Sequence, residues 1–127
     1  MVKMSTLKQI KTLEKERASV IEKMLSLKLM TPGAYREVYC RCGKKNCRCY
    51  NGKGHPYRRI SYSEGGKSRT KSISEKNIEW IKEVTQNYRN FKEGQKQIKE
   101  YEERLKKLLD KHSKEIIEQT RKKKEYN

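Results

Sequence analysis

Residues 40–49 read CRCGKKNCRC and place four cysteines, Cys40, Cys42, Cys47 and Cys49, among four basic side chains. Crowded thiolates repel one another, and a bound cation removes that repulsion; zinc is the usual ion at such clusters. His55 follows shortly after, as a further candidate ligand. The segment therefore predicts a metal-stapled module surrounded by positive charge, which is typical of a binding protein and not of a catalytic cleft.

Five candidate ligands compete for the four positions of a tetrahedral site. The preferred set is Cys42, Cys47, Cys49 and His55, with the spacing C-x4-C-x-C-x5-H, because neighbouring glycines let the loop wrap around one ion. Cys40 is then a spare thiol, or it replaces His55 in an all-cysteine site. We expect a structural Zn²⁺, and two disulfides are the rival interpretation for an exported protein.

The net charge and the low apolar content restrict the function further. The 127-residue chain carries 33 Lys and Arg against 16 Asp and Glu, a formal charge of +17, and only 32% of its residues are hydrophobic. Such a chain cannot bury a large core, and its natural partners are polyanions. The segment Arg36–Ile73 alone holds eleven basic and two acidic residues, which indicates a contact surface in the middle of the chain.

The apolar runs of the chain are short. None reaches the roughly 18 residues that a membrane span needs, and the first residues lack the continuous apolar stretch of a secretory signal. We therefore expect a cytoplasmic protein with no membrane contact. In a reducing compartment, clustered cysteines are more often metal ligands than disulfides.

Hydrophobic periodicity divides the chain into three segments: residues 1–30 as an N-terminal helix, 31–73 as a zinc-binding β module, and 74–127 as a long C-terminal helix with a basic tail. The fold class predicted is α+β. A helical apolar stripe runs from about Ser5 to Leu29, and the Thr31-Pro32-Gly33 sequence ends it.

Within the β module the apolar period shortens to two. Arg36–Cys40 is predicted as a short strand, and Pro56–Ser63 with Lys67–Ile73 as a hairpin closed by Gly65-Gly66. We expect outward positions of the hairpin to carry many of Arg58, Arg59, Lys67, Arg69 and Lys71. Because so few apolar side chains remain for packing, the zinc site is the expected source of stability.

The last segment begins at Ser74, a candidate helix N-cap, and continues as a coiled-coil heptad. Its seam is formed by Ile81, Val84, Tyr88, Phe91, Gln95, Ile98, Glu102, Leu105, Leu109, His112 and Ile116, and it is widened by Tyr101, Leu108 and Ile117. A first helix of roughly 40 Å would cover a last helix of roughly 73 Å only as far as about Tyr101. The uncovered apolar residues predict a homodimer, whereas a break near Asn90 or Gly94 would instead give a three-helix bundle.

The central motifs carry a family resemblance. CGKKNCRC at residues 42–49, GHPY at 54–57 and GGKSR at 65–69 resemble a family of small prokaryotic proteins of uncharacterised function, which combine CGK-x-x-C-x-C, H-x-P-Y and GGK-x-R motifs ahead of a C-terminal helix. Genes of this kind often lie near mobile elements. The resemblance implies that Cys42, Cys47, Cys49 and His55 are shared positions. The chain departs from the pattern in its extra Cys40 and in the direct His55-Pro56 junction.

These features predict a dimeric nucleic-acid-binding zinc protein whose basic side chains contact phosphates and whose tyrosines stack on bases. The predicted contact residues are Arg41, Lys44, Lys45, Arg48, Lys53, Tyr57, Arg58, Arg59, Lys67, Arg69 and Lys71. DNA and RNA remain equally open as ligands. The alternative is a coiled-coil adaptor for another protein. We expect no enzymatic activity, because the central segment offers only Glu37 and Glu64 as carboxylates and no activated nucleophile.

Overall fold

A computed structural model describes residues 5–52 and 54–123, apart from the side chain of Cys49. The elements are the helix α1 (Thr6–Leu25), the strands β1 (Ala34–Cys40), β2 (His55–Glu64) and β3 (Lys67–Ser72), and the helix α2 (Ile78–Lys123). Short 3-10 turns occupy Arg48–Asn51 and Glu75–Asn77. The predicted α+β fold, with a small antiparallel sheet between an N-terminal helix and a long C-terminal helix, is confirmed.

Two compact units make up the described chain. One contains α1 and the part of α2 from Phe91 onward, and the other spans Lys28–Asn90, with the sheet and the first turns of α2. Neither described helix has an apolar stretch long enough to cross a lipid bilayer.

The ends of α1 are set by serine side chains. The Ser5 hydroxyl accepts a hydrogen bond from the Lys8 backbone N–H at 3.2 Å, which satisfies a donor that the first turn leaves unpaired. At the other end the Ser26 hydroxyl donates to the Lys23 carbonyl at 2.6 Å. This bond satisfies the Lys23 carbonyl, which would otherwise accept from the next turn of the helix. The helix therefore ends at Leu25 and not at the predicted Leu29.

Helix α1 packs antiparallel to the distal part of α2. The Thr6 hydroxyl donates to the Glu115 carboxylate at 2.8 Å, and a Cβ atom built on Gly94 would lie 2.6 Å from Met24 Cγ. The contacts thus extend from Gly94 to Glu115, and the prediction that α1 covers α2 only as far as about Tyr101 is wrong. Residues 26–33 form no helix, whereas the predicted first helix continued to Leu29.

The covered stripe of distal α2 repeats every seven residues, like the predicted seam. At every second position, however, the covered residue lies one residue before the predicted one. Its buried and half-buried members are Gly94, Ile98, Tyr101, Leu105, Leu108, His112 and Glu115. The predicted seam residues Gln95, Glu102, Leu109 and Ile116 are exposed instead. Glycine at position 94 admits the Met24 side chain, and this close approach fixes the register. The alternative break near Asn90 or Gly94 does not occur, since α2 is continuous through both residues.

The sheet has the order β1-β2-β3 with both pairs antiparallel. The predicted hairpin is confirmed: Gly65 and Gly66 have φ values of 57° and 80°, which a two-residue type I′ turn requires. The apolar core of this unit is small. It consists of Ile60, Ile81 and Val84, with Tyr35 and Ile73 packed against them.

Strand register divides the sheet side chains between two faces. The helix-side face contains Ile60 and packs on α2. The opposite face, called the open face from here on, carries Ala34, Arg36, Val38, Cys40, His55, Tyr57, Arg59, Ser61, Ser63, Ser68, Thr70 and Ser72. Of the hairpin cations expected at outward positions, Arg59, Lys67, Arg69 and Lys71 are exposed, but only Arg59 lies on the open face. Arg58, Lys67, Arg69 and Lys71 alternate in phase with Ile60, so they share its face.

Candidate metal centre

The metal loop, residues 41–54, connects β1 to β2, and the pairing of these strands brings its two ends together. Cys40 and His55 are cross-strand partners at the end of the sheet. Gly54 has a φ of 97°, and a Cβ there would lie 2.5 Å from the Cys40 carbonyl oxygen, so the position requires glycine. The Arg41 side chain closes the loop by donating from Nε to the Gly52 carbonyl at 3.0 Å.

Three candidate ligands lie close together where this loop meets β2. The Sγ atoms of Cys42 and Cys47 and a ring nitrogen of His55 all lie within 4.8 Å of one another. Cys47 Sγ and His55 Nε2 are 3.1 Å apart. A turn holds Cys47 in place, because its N–H donates to the Lys44 carbonyl at 3.2 Å. Strand β2 positions the third ligand, since His55 is its first residue.

This donor set fits a metal ion. Zinc–sulfur bonds of about 2.3 Å and zinc–nitrogen bonds of about 2.0 Å place tetrahedral ligands roughly 3.5–3.8 Å apart, comparable with the separations in the cluster. Two thiolates and an imidazole are also the donors that zinc prefers. The three residues can therefore hold a metal ion at the end of the β1–β2 strand pair.

The other two candidate ligands are placed differently. Cys40 is exposed and lies outside the cluster, although it is the cross-strand partner of His55. Cys49 belongs to the 3-10 turn two residues after Cys47, and its side chain is outside the described part of the structure. The predicted nucleic-acid residue Lys53 is likewise outside the described residues.

Positive charge surrounds the cluster. Arg41, Lys44, Lys45 and Arg48 of the metal loop are exposed. The sequence contains no acidic residue between Glu37 and Glu64, so every charged side chain of the loop is basic. The site therefore presents a cationic surface around its candidate ligands.

Both acidic residues of the sheet lie on the helix-side face, where they meet cations. Glu37 is the cross-strand partner of Arg58, and Glu64 that of Lys67. Glu64 also forms a salt bridge of 3.8 Å with Arg69. Glu37 accepts a hydrogen bond from the Tyr39 hydroxyl at 3.2 Å, and this bond, with the carboxylate charge, raises the pKa of Tyr39. The two carboxylates thus offset half of the four positive charges that Arg58, Lys67, Arg69 and Lys71 place on this face.

The open face has the opposite arrangement. Arg36 and Arg59 are direct cross-strand partners, and Val38 and Tyr57 form the adjacent pair on the same face. Among the described residues, neither arginine has a salt-bridge partner. Sequence reasoning omitted Arg36, because its position opposite Arg59 depends on a register that the intervening loop does not reveal.

Comparison with known proteins identifies a family. No curated protein and no solved structure shows significant similarity to the chain. A family model described as a domain of unknown function, DUF6788, matches residues 7–83, more than half of the chain. The match takes in nearly all of α1, the whole sheet with the metal loop, and the beginning of α2. The chain therefore belongs to the DUF6788 family.

Proposed function

We propose that the protein is a dimeric, cytoplasmic accessory factor that binds zinc and contacts the phosphate backbone of nucleic acids. The observation that carries this proposal is the Cys42–Cys47–His55 cluster, enclosed by a loop in which every charged residue is basic. A structural metal would hold the loop rigid, so that its cations present a fixed surface to a polyanion. The resemblance to genes found near mobile elements fits an accessory role of this kind.

The proposed ion is Zn²⁺, with Cys49 as the fourth ligand. Three described ligands leave one tetrahedral position, and Cys49 follows Cys47 by two residues within the same turn. Cys40 is the less suitable candidate, because it lies outside the cluster that contains its strand partner His55. With four protein ligands the ion would be structural, since a catalytic zinc keeps a position for water.

Metal analysis of cysteine variants tests the zinc site. We expect the purified chain to hold one zinc ion, and Cys47→Ser to lose most of it and to unfold at a lower temperature, because three ligands bind zinc far more weakly than four. Cys40→Ser is the matched control and should keep the ion. Full zinc retention in both variants, measured by plasma mass spectrometry, would refute the assignment.

The proposed nucleic-acid contacts are the exposed cations of the metal loop together with Tyr57, Arg58, Arg59, Lys67, Arg69 and Lys71. Such contacts release condensed counterions, so affinity should fall steeply as salt rises. Six phosphate contacts, for example, predict a log–log slope of about −4 for single strands or about −5 for duplexes. Fluorescence anisotropy between about 50 and about 300 mM salt measures this slope. An affinity independent of salt would contradict the proposal.

Exposed apolar side chains on distal α2 support the proposed homodimer. Leu109, Ile116 and Ile117 are 54%, 49% and 45% exposed, on a helix that is otherwise strongly charged. The same side chains favour the second candidate function, a coiled-coil adaptor for a different protein. Charge reversal at Arg58, Arg59, Arg69 and Lys71 separates the two functions. A nucleic-acid-binding protein would lose its ligand, whereas an adaptor would keep its partner.

A further inference from the structure

The Arg36–Arg59 pair is an unusual feature of the open face. Like charges placed directly opposite each other on neighbouring strands destabilise a sheet, and an acidic neighbour normally relieves the repulsion. Here no Asp or Glu occurs among the described strand residues of the same face, while both sheet carboxylates lie on the other side. The two guanidinium groups are exposed and have no salt bridge with the described residues. An anion bound between them would remove this repulsion.

An aromatic side chain lies beside the arginine pair. Tyr57 is 48% exposed and belongs to the next cross-strand pair, about 6.8 Å along the strands. On the other side of the arginines the face carries only small side chains, Ala34, Ser61 and Thr70. This part of the open face, about 10 Å between its outer strands, thus presents the Tyr57 ring and two guanidinium groups beside short side chains.

We propose that the open face binds single-stranded nucleic acid, with Tyr57 stacking on a base while Arg36 and Arg59 contact neighbouring phosphates. This inference rests on the proposed function and specifies the ligand class and the surface. Arg36 is thereby added to the contact residues. The bound nucleic-acid strand would continue past the Cys40–His55 pair towards Arg41 and the other cations of the metal loop.

This part of the open face suits a single strand better than a duplex. Stacking on Tyr57 requires a base whose flat face is accessible, and single strands offer such bases, whereas duplex bases present only their edges in the grooves. Sheet faces with exposed aromatic rings are a common way of binding single strands. Arginine also stacks on unpaired bases with its planar guanidinium group. The cations of the helix-side face then contribute through longer-range attraction, since Glu64 forms a salt bridge with Arg69 and Glu37 is the cross-strand partner of Arg58.

The test compares variants of the full-length, zinc-loaded chain. Binding of fluorescein-labelled single-stranded RNA, single-stranded DNA and duplex DNA of about 12 units is measured by anisotropy. Arg36→Gln/Arg59→Gln should reduce the magnitude of the salt slope by about 1.4, because two single-strand phosphate contacts are lost. Tyr57→Leu should weaken single-strand binding by roughly 5- to 150-fold and change duplex binding much less.

Lys96→Gln/Lys99→Gln is the matched control, since it removes two exposed cations of α2 that lie outside the sheet. It should retain the wild-type slope. Thermal unfolding provides a second measurement: relief of the repulsion should leave the melting temperature of the Arg36/Arg59 variant at or above that of the wild type.

The outcomes distinguish this inference from the broader proposal. If the wild type binds nucleic acid but the Arg36/Arg59 variant matches the control, the open face is not the binding surface, and the proposed function survives. Tighter binding to duplex than to either single strand would also overturn the inference. If the wild type binds none of the three ligands, both the inference and the proposed function fail.

Discussion

At the scale of single residues, Gly54 couples the sheet to the candidate metal site. Its φ of 97° lies in the region that favours glycine, and a Cβ would meet the Cys40 carbonyl oxygen at 2.5 Å and the Arg41 nitrogen at 2.7 Å. Gly54→Ala should therefore lower the free energy of unfolding by at least about 2 kcal/mol, from backbone strain and from displacement of β1. Because His55 is the next residue, zinc affinity should fall as well. Urea denaturation of the zinc-loaded chain measures the effect.

Gly52→Ala is the control for this prediction. Gly52 lies in the same loop, and its Cβ would contact only the Arg48 carbonyl oxygen at an ordinary 3.6 Å. The substitution should change stability by no more than about 0.5 kcal/mol. Equal losses in the two variants would show that the loop, and not the Cys40–Gly54 contact, limits stability.

At the scale of secondary-structure elements, the α1–α2 contact depends on Gly94. Leucine has a helix propensity about 0.8 kcal/mol better than glycine, so Gly94→Leu would stabilise an isolated helix. In the packed pair the new side chain would collide with Met24, whose Cγ and Sδ lie 2.6 Å from the position of a Cβ. We expect a net loss of about 1–2 kcal/mol in the free energy of unfolding.

Two further variants check this contact. Met24→Ala should recover part of the stability lost in Gly94→Leu, because it empties the space that the leucine needs, and a double-mutant cycle measures the coupling. Gln95→Leu, at the exposed neighbouring position, should leave the free energy of unfolding almost unchanged. A stabilising Gly94→Leu substitution would be inconsistent with the close approach of α1 to α2.

At the scale of the whole molecule, the exposed apolar side chains of distal α2 determine the expected assembly. Light scattering at micromolar concentration should give twice the chain mass of 15.2 kDa. Leu109→Lys/Ile116→Lys should yield monomers, since buried unpaired ammonium groups would weaken association by at least about tenfold each.

Leu25→Lys serves as the comparison, because Leu25 is an exposed leucine of α1 with 69% of its surface accessible. This variant should remain dimeric. A monomer mass for the wild type would exclude the homodimer. If the Leu109→Lys/Ile116→Lys variant is still a dimer, the interface lies elsewhere.

Features that depend on near neighbours in the chain could be predicted from the sequence. The Gly65-Gly66 turn predicts its hairpin, the apolar period predicts the two helices, and the Cys42–Cys47 spacing with His55 predicts the cluster that the structure brings together. Turn geometry, helical period and ligand spacing are all set within a few residues, so they can be recognised without knowing what the distant parts of the chain contact.

The registers of the strands and of the helix pair depend on contacts between distant parts of the chain. The folded structure opposes Arg36 to Arg59, and it covers Tyr101 and Leu108 of α2 in place of Glu102 and Leu109. A shift of one residue along a strand or a helix leaves the local signals unchanged but moves every side chain to a different face. The free energy that fixes these registers comes from contacts between distant residues, such as Gly94 with Met24 and Gly54 with Cys40.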